Sequence, residues 1–204
     1  MENYLQKTLA LTVTRNTGKD RFETAANIAK AMGGGSTDTV VVNGRNYPDA
    51  LSIAPYAAQG GLPILLTDAE TMPSATAEIL QGKSHTLVIG RTNVISDSIF
   101  RKLPGARRIA GNDRYETSLL VSQNMAKDYV FIASGTNFPD ALSGSVLAAA
   151  YGKLILLTRP NVLSEELKGL LRDQEVLTVS ILGGPGSVSK QVEQDLLSVI
   201  RSIE

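Results

Sequence analysis

The sequence predicts an α/β protein built twice, as two tandem three-layer units with mostly parallel sheets. Two observations carry this. Short β-branched runs alternate with longer stretches of helical period, the pattern of a parallel sheet covered on both faces. The chain also repeats itself at an offset of about 93 residues, and a repeat has to be found before any motif is read.

Four blocks match in order. Arg15 to Thr24 faces Arg108 to Thr117 with six of ten positions identical, the shared residues being Arg, Gly, Asp, Arg, Glu and Thr. Asn46 to Ser52 faces Asn137 to Ser143, where only the aromatic differs, Tyr47 against Phe138. Pro63-Ile-Leu-Leu-Thr67 faces Leu154-Ile-Leu-Leu-Thr158, and Val88 to Ser96 faces Ile181 to Ser189. Four blocks in one order indicate duplication, and the units are placed at residues 11–103 and 106–204, split by the turn at Leu103-Pro104-Gly105.

In the first unit, strands are expected at Thr39–Val42, Ile64–Leu66 and Leu87–Ile89. In the second they are expected at Tyr129–Ala133, Ile155–Leu157 and Val179–Leu182. Helices should start near Glu23, Asp49, Ser74 and Ser96, and again near Glu116, Asp140, Ser164 and Ser189. Pro48 and Pro139 suit a first helical turn, and the serines at 96, 164 and 189 can accept its unpaired amides. Asp49 and Asp140 lie where a helix dipole favours a carboxylate. Leu65, Leu66, Leu156 and Leu157 read as core.

The composition sets bounds. Hydrophobic residues make up 43% of 204, enough to close a core, and 20 basic residues balance 20 acidic ones. No overall field draws the chain to nucleic acid or acidic lipid, so an anion must be met locally. With no cysteine and one histidine, His85, disulfides and thiolate metal sites are excluded and zinc or triad chemistry lacks its residues. Leu5 to Val13 is interrupted by polar residues and reads as neither a signal peptide nor a membrane span.

Two places in the sequence suggest nucleotide chemistry. Gly183-Gly-Pro-Gly-Ser-Val-Ser189 runs strand, loop, helix, but its partner Gly90-Arg-Thr-Asn93 shares few of the glycines and Pro185 removes an amide donor. Gly82-Lys83-Ser84 imitates a P-loop end without its leading glycine and in the wrong element order, and reads as a helix-ending turn. A magnesium site would need an Asp-x-Asp pair, whereas Asp97, Asp128 and Asp173 are isolated. Paired-carboxylate hydrolysis stays open, although the recurring acids Asp20, Glu23 and Asp49 also read as caps and arginine partners.

The repeated motifs, Arg-x-x-Gly-x-Asp-Arg-aromatic-Glu-Thr, Asn-aromatic-Pro-Asp-Ala-Leu-Ser and Ile-Leu-Leu-Thr, closely resemble the type 2 cell-wall-binding repeat of Gram-positive surface proteins and wall amidases. The resemblance spans about residues 11–204. It implies a Toprim-like fold for each repeat and non-covalent attachment to an anionic secondary wall polymer, teichoic-acid-like or polysaccharide. It also implies an extracellular, wall-bound location, no cofactor, and no catalysis within the repeats. The family carries three repeats about a pseudo-threefold axis, so a third repeat or self-association is expected to complete this pair. Pro63 belongs to the segment linked with anchoring, and Leu154 replaces it in the second copy.

The residues expected to touch polymer are Arg15, Asp20, Arg21, Thr24, Asn46, Asp49, Ser52, Pro63 and Thr67, and in the second copy Arg108, Asp113, Arg114, Thr117, Asn137, Asp140, Ser143 and Thr158. Guanidinium groups suit phosphate or carboxylate oxygens. For Arg21 and Arg114, directly after aspartate, local ion pairs with Asp20 or Asp49 and with Asp113 or Asp140 are the competing reading. Asn46 and Asn137 equally suit holding a loop. Thr67 and Thr158 end strands where open α/β sheets place ligands. The rival function is a nucleotide or small-molecule enzyme on the strand ends of a Rossmann-like sheet.

Overall fold

The computed structural model describes residues 12–33, 35–123 and 128–203, so most of the Leu5 to Val13 stretch lies outside the described residues. Along the chain these form α1 (Arg21–Ala31), β1 (Asp38–Asn43), α2 (Tyr47–Gln59), β2 (Ile64–Thr67), α3 (Ser74–Leu80), β3 (His85–Ile89), α4 (Asp97–Phe100) and β4 (Ala106–Ile109). There follow α5 (Arg114–Ser122), β5 (Tyr129–Ser134), α6 (Pro139–Ala150), β6 (Ile155–Thr158), α7 (Glu165–Asp173), β7 (Thr178–Leu182) and α8 (Lys190–Arg201).

Two parallel sheets result, in the orders β2-β1-β3-β4 and β6-β5-β7. Every sequence-expected strand is present, and Ser96, Ser164 and Ser189 cap their helices by accepting the amides of Ile99, Leu167 and Val192. Pro48 and Pro139 sit in first turns as their fixed φ allows. The amide of Phe131 donates to Leu154 O as that of Val40 does to Pro63 O, both at 3.0 Å, so leucine serves this backbone position as well as proline.

One strand lies outside those the sequence predicts. β4 lies beyond the Pro104-Gly105 turn, in the second repeat by sequence, yet pairs with β3 of the first sheet in the register Thr86↔Ala106 to Ile89↔Ile109. Its sequence, Ala-Arg-Arg-Ile, has no apolar alternation to announce a strand. The sequence boundary and the sheet boundary therefore differ.

The core clusters cross the boundary as well. One face of the first sheet buries Val40, Val42, Ile53 and Ile89 together with Val121 from α5. The matching face of the second sheet buries Phe131, Ala133, Ile155 and Leu157 together with Leu51 from α2. The outer faces close within their own repeats, over Val41, Leu80 and Ile99 in the first and over Ile132, Leu171 and Leu196 in the second. The units thus have separate sheets and shared inner cores. Among the described residues no helix is long and apolar enough to cross a membrane.

Candidate functional site

The most repeated motif first builds a helix entrance. Asp20 Oδ1 accepts the amide of Glu23 at 2.8 Å, and Glu23 Oε2 reaches back to the amide of Lys19 at 2.7 Å, a reciprocal cap. Thr24 Oγ1 accepts the amide of Gly18 at 3.0 Å and donates to Asp20 O. The second copy repeats this with Asp113 to Glu116 N, Glu116 to Asn112 N and Thr117 to Gly111 N. Glycine is required because a Cβ on Gly18 or Gly111 would lie 2.5 Å from the following helix turn.

Arg21 and Arg114 then clamp this entrance to the strand end. Their guanidinium groups donate to the carbonyls of Gly44 and Gly135, at 2.9 and 2.6 Å. Phe22 and Tyr115 lie against the same two glycines, leaving no room for a side chain there.

Between the repeats lies a polar cleft of about 220 Å³. The first repeat contributes Asn46 and Asp49 from the start of α2 and Gly90, Arg91 and Asn93 from the loop after β3; the second contributes Gly111 to Arg114 and Thr117. Motif one of the second copy thereby meets motif two of the first. Arg91 Nη1 crosses the cleft and donates to Asn112 O at 2.9 Å. Tyr47 and Phe138, the one differing pair in their block, meet as a tilted ring pair with centroids 5.2 Å apart.

Burial raises the Asp49 carboxyl above the ordinary carboxylate range, and the positive charge of Arg114 opposes that rise. Asp113 behaves oppositely. Burial pushes it up, but the Glu116 amide and the Arg159 guanidinium, which donates to Asp113 Oδ2 at 3.0 Å, prevail and hold it low. The cleft thus carries two carboxylates of different character beside two guanidinium groups with donors to spare.

The remaining expected residues fall into three groups. Arg108 stands behind the cleft with its side chain 17% exposed, donating to Gly90 O at 2.7 Å and to Asp97 at 3.3 Å, its guanidinium over the Phe100 ring. Arg15, Asp20, Arg21 and Thr24 occupy the equivalent positions on the first repeat, and Asn137, Asp140 and Ser143 those on the second, away from the cleft. The structure differs from expectation at Ser52, Pro63, Thr67 and Thr158, which are buried and do not line the cleft, whereas Asp49 and Thr117 are buried but line it. Ser52 Oγ bonds back to Pro48 O; Thr67 and Thr158 donate to Thr71 O and Val162 O, closing the loops after their strands.

Sequence reasoning missed Arg91, Asn93 and Asn112, because their counterparts Gly184, Gly186 and Lys19 differ and a repeat comparison does not flag them. It also missed Asn43, whose Nδ2 donates to Val94 O at 2.6 Å and fixes the loop that carries Arg91. A larger cavity of about 560 Å³, between Asp38, Tyr56, His85, Arg107 and Leu120, contains none of the repeated motif residues. The glycine loop after β7 spends the amides of Ser187 and Val188 on its own Gly184 O. Among the described residues no group of three His, Cys, Asp or Glu could hold a metal ion.

Comparison with known proteins agrees with the duplication. The family model described as cell wall binding domain 2 (CWB2) matches twice, at residues 15–100 and 108–193. The chain is 36% identical over 194 residues to the N-acetylmuramoyl-L-alanine amidase LytC of Bacillus subtilis, covering 93% of this chain and 39% of that protein. It is 35% identical over 190 residues to the Bacillus subtilis amidase enhancer, covering 90% of this chain and 26% of the relative. The solved structures of Cwp6 and Cwp8 from Clostridium difficile superpose with TM-scores of 0.85 and 0.83 at 27% and 29% identity. They are matched over 90% and 98% of this chain and 31% and 37% of theirs. The chain therefore spans less than two fifths of each of these proteins, and the shared part is the repeat region. With two matches that take in its sheets, its shared inner core and the cleft between them, this chain belongs to the cell wall binding domain 2 family.

Proposed function

We propose that the chain is a non-catalytic anchoring module that holds a surface protein or wall hydrolase on an anionic secondary wall polymer, with the junction cleft as its contact site. The observation that carries this reading is that the two repeated motifs, separate in sequence, meet at the junction: Asn46 and Asp49 of one repeat face Gly111 to Thr117 of the next. Motif conservation between copies is then explained by a site that needs one half from each.

In this reading Arg91 and Arg114 present guanidinium donors to phosphate or carboxylate oxygens, while Asn46, Asn93 and the Asp113 carboxylate meet sugar or polyol hydroxyls. The polymer is teichoic-acid-like or an acidic polysaccharide, the setting is the extracellular wall, and a further repeat or self-association completes the assembly. Any amidase chemistry belongs to parts of a longer protein outside these repeats.

The test is co-sedimentation of the chain with purified Gram-positive walls before and after acid stripping of secondary polymers, alongside Arg91→Ala and Arg114→Ala. Binding lost on stripping and weakened about tenfold or more in the variants supports the reading. Equal pelleting with stripped walls, or a melting shift of several degrees with nucleotides and none with polymer, overturns it in favour of a nucleotide-binding enzyme.

A further inference from the structure

The cavity of about 560 Å³ lies at the opposite end of the first sheet from the junction cleft. It opens beside Asp38 and His85, the first residues of β1 and β3, whereas the cleft lies beyond the strand ends, at Asn46 and Gly90. Its wall is the inner sheet face, here Leu87 and Ile109, flanked by Tyr56 of α2 and Leu120 of α5. These four side chains are only half-buried, so apolar surface is left on the cavity. The volume is in the range of small-ligand pockets, roughly 300–1,000 Å³.

The second copy shows why the space exists. At the matching corner of its sheet three rings meet: Tyr129 and Phe131, with centroids 4.8 Å apart, and Tyr151, edge-on to them at 6.1 and 6.2 Å. Aligned on Asn46 with Asn137 and Ile64 with Ile155, the first-repeat residues at these positions are Asp38, Val40 and Gly60. The fold therefore closes this corner with its own side chains in one copy, as close packing favours, and leaves it open in the other.

The mouth of the cavity is charged. Asp38 Oδ1 lies 2.9 Å from His85 Nδ1, so that carboxylate has a partner beside it. Arg107, exposed and in register with Leu87, makes no hydrogen bond or ion pair among the described residues. It falls on the same strand face as Ile109, two residues on, which places it over the apolar wall with its guanidinium donors unused. The second copy repeats none of these groups: Tyr129, Thr178 and, before the first motif, Thr14 stand at the positions matching Asp38, His85 and Arg107.

We propose that this cavity binds a small amphiphilic carboxylate, with its apolar body against Tyr56, Leu87, Ile109 and Leu120 and its carboxylate on the Arg107 guanidinium. Charge complementarity selects the head, because Arg107 is the cation at the mouth without a partner and guanidinium suits a carboxylate bidentately. The apolar wall selects the body. The site is separate from the polymer cleft and does not rest on the anchoring reading.

The experiment is calorimetric titration of the whole chain with decanoate at submicellar concentration, with decanol as the uncharged control. Two variants accompany it, Arg107→Gln and Gly60→Tyr. The first removes the charge at an exposed position; the second, also exposed, restores the ring that Tyr151 supplies in the other copy. Unchanged melting temperatures check the fold. The expected result is saturable one-to-one binding of decanoate, weakened about tenfold or more for decanol and for Arg107→Gln, as loss of a charged hydrogen bond implies, and weakened at least as much by Gly60→Tyr. No saturable binding, equal binding of decanol, or Arg107→Gln binding as tightly as the unmodified chain overturns the proposal. Wall pelleting keeps the two sites distinct: Arg107→Gln should pellet normally, and its failure to do so would move Arg107 into polymer contact and overturn the separate site.

Discussion

Asp49, near the start of α2 in the first repeat, and Arg114, at the start of α5 in the second, face the same cleft, and the charge of Arg114 opposes the rise that burial imposes on the Asp49 carboxyl. Asp49 is 5% exposed and its carboxylate lies over Gly90, where a Cβ would stand 3.0 Å from Oδ2. A buried acid kept beside an arginine from the other repeat is costly for folding and suited to binding.

Asp49→Asn should therefore raise the melting temperature at neutral pH and weaken wall retention. The sign follows from linkage: a carboxyl raised in the folded state binds its proton more tightly there than in the unfolded chain. Its contribution is most favourable at low pH and is lost as pH rises from the ordinary carboxylate value of about 3.9 through the raised one. Thermal melts of both proteins between pH 4 and 8 should converge toward the acid end. Curves that stay parallel would refute the assignment.

Leu51→Ala should cost about 2–5 kcal/mol, the usual cost of emptying a buried leucine site, because Leu51 fills the core of the other repeat. Leu142→Ala, the same change at the same repeat position, should stay within about 0.5 kcal/mol in dilute solution, since that side chain is exposed. Urea unfolding of the two variants checks the contrast.

Asp113→Ala removes the cap of α5 and the partner of Arg159, and should destabilise by about 1 kcal/mol or somewhat more. Because this carboxyl is held low in the folded state, its stabilisation is present at neutral pH and lost as pH falls through its lowered value. The difference between variant and parent should shrink in acid, as denaturant titrations at pH 7 and pH 3 would read.

Wall retention should fall as salt rises to about 0.5 M, where the Debye length is only a few ångströms and exposed guanidinium contacts are screened. Retention unchanged over that range would count against charge recognition.

A cut at Pro104 tests the shared core. The sequence places a unit boundary at this turn; with β4 hydrogen-bonded to β3, and Leu51 and Val121 each buried in the opposite repeat, the cleaved fragments should co-elute and unfold in a single transition. Two independent melts would show that the junction contributes little.

How much was legible follows from what kind of physics each feature uses. The strands and helix starts are local: runs such as Val40 to Val42 and caps such as Ser164 are set by side chains within a few residues, and duplication displays the pattern twice. The motif residues Asp20, Asp113, Thr24 and Thr117 were visible as recurring, but recurrence does not separate a helix cap from a ligand contact, and the structure assigns their hydroxyl and carboxyl oxygens to backbone amides. Arg91 and Asn112 carried no repeated signal at all.

What the sequence determined by itself is the duplication, the α/β alternation, the parallel strands and the family, because all of these are written in periodicity and in motifs a few residues long. What only the tertiary structure decided is where those motifs meet. β4 joins the sheet of the preceding repeat, Leu51 enters the core of the following one, and Asp49 comes to face Arg114. These are contacts between residues far apart in the chain, fixed by how two inner sheet faces exclude water together, and no local pattern encodes which face will find which partner.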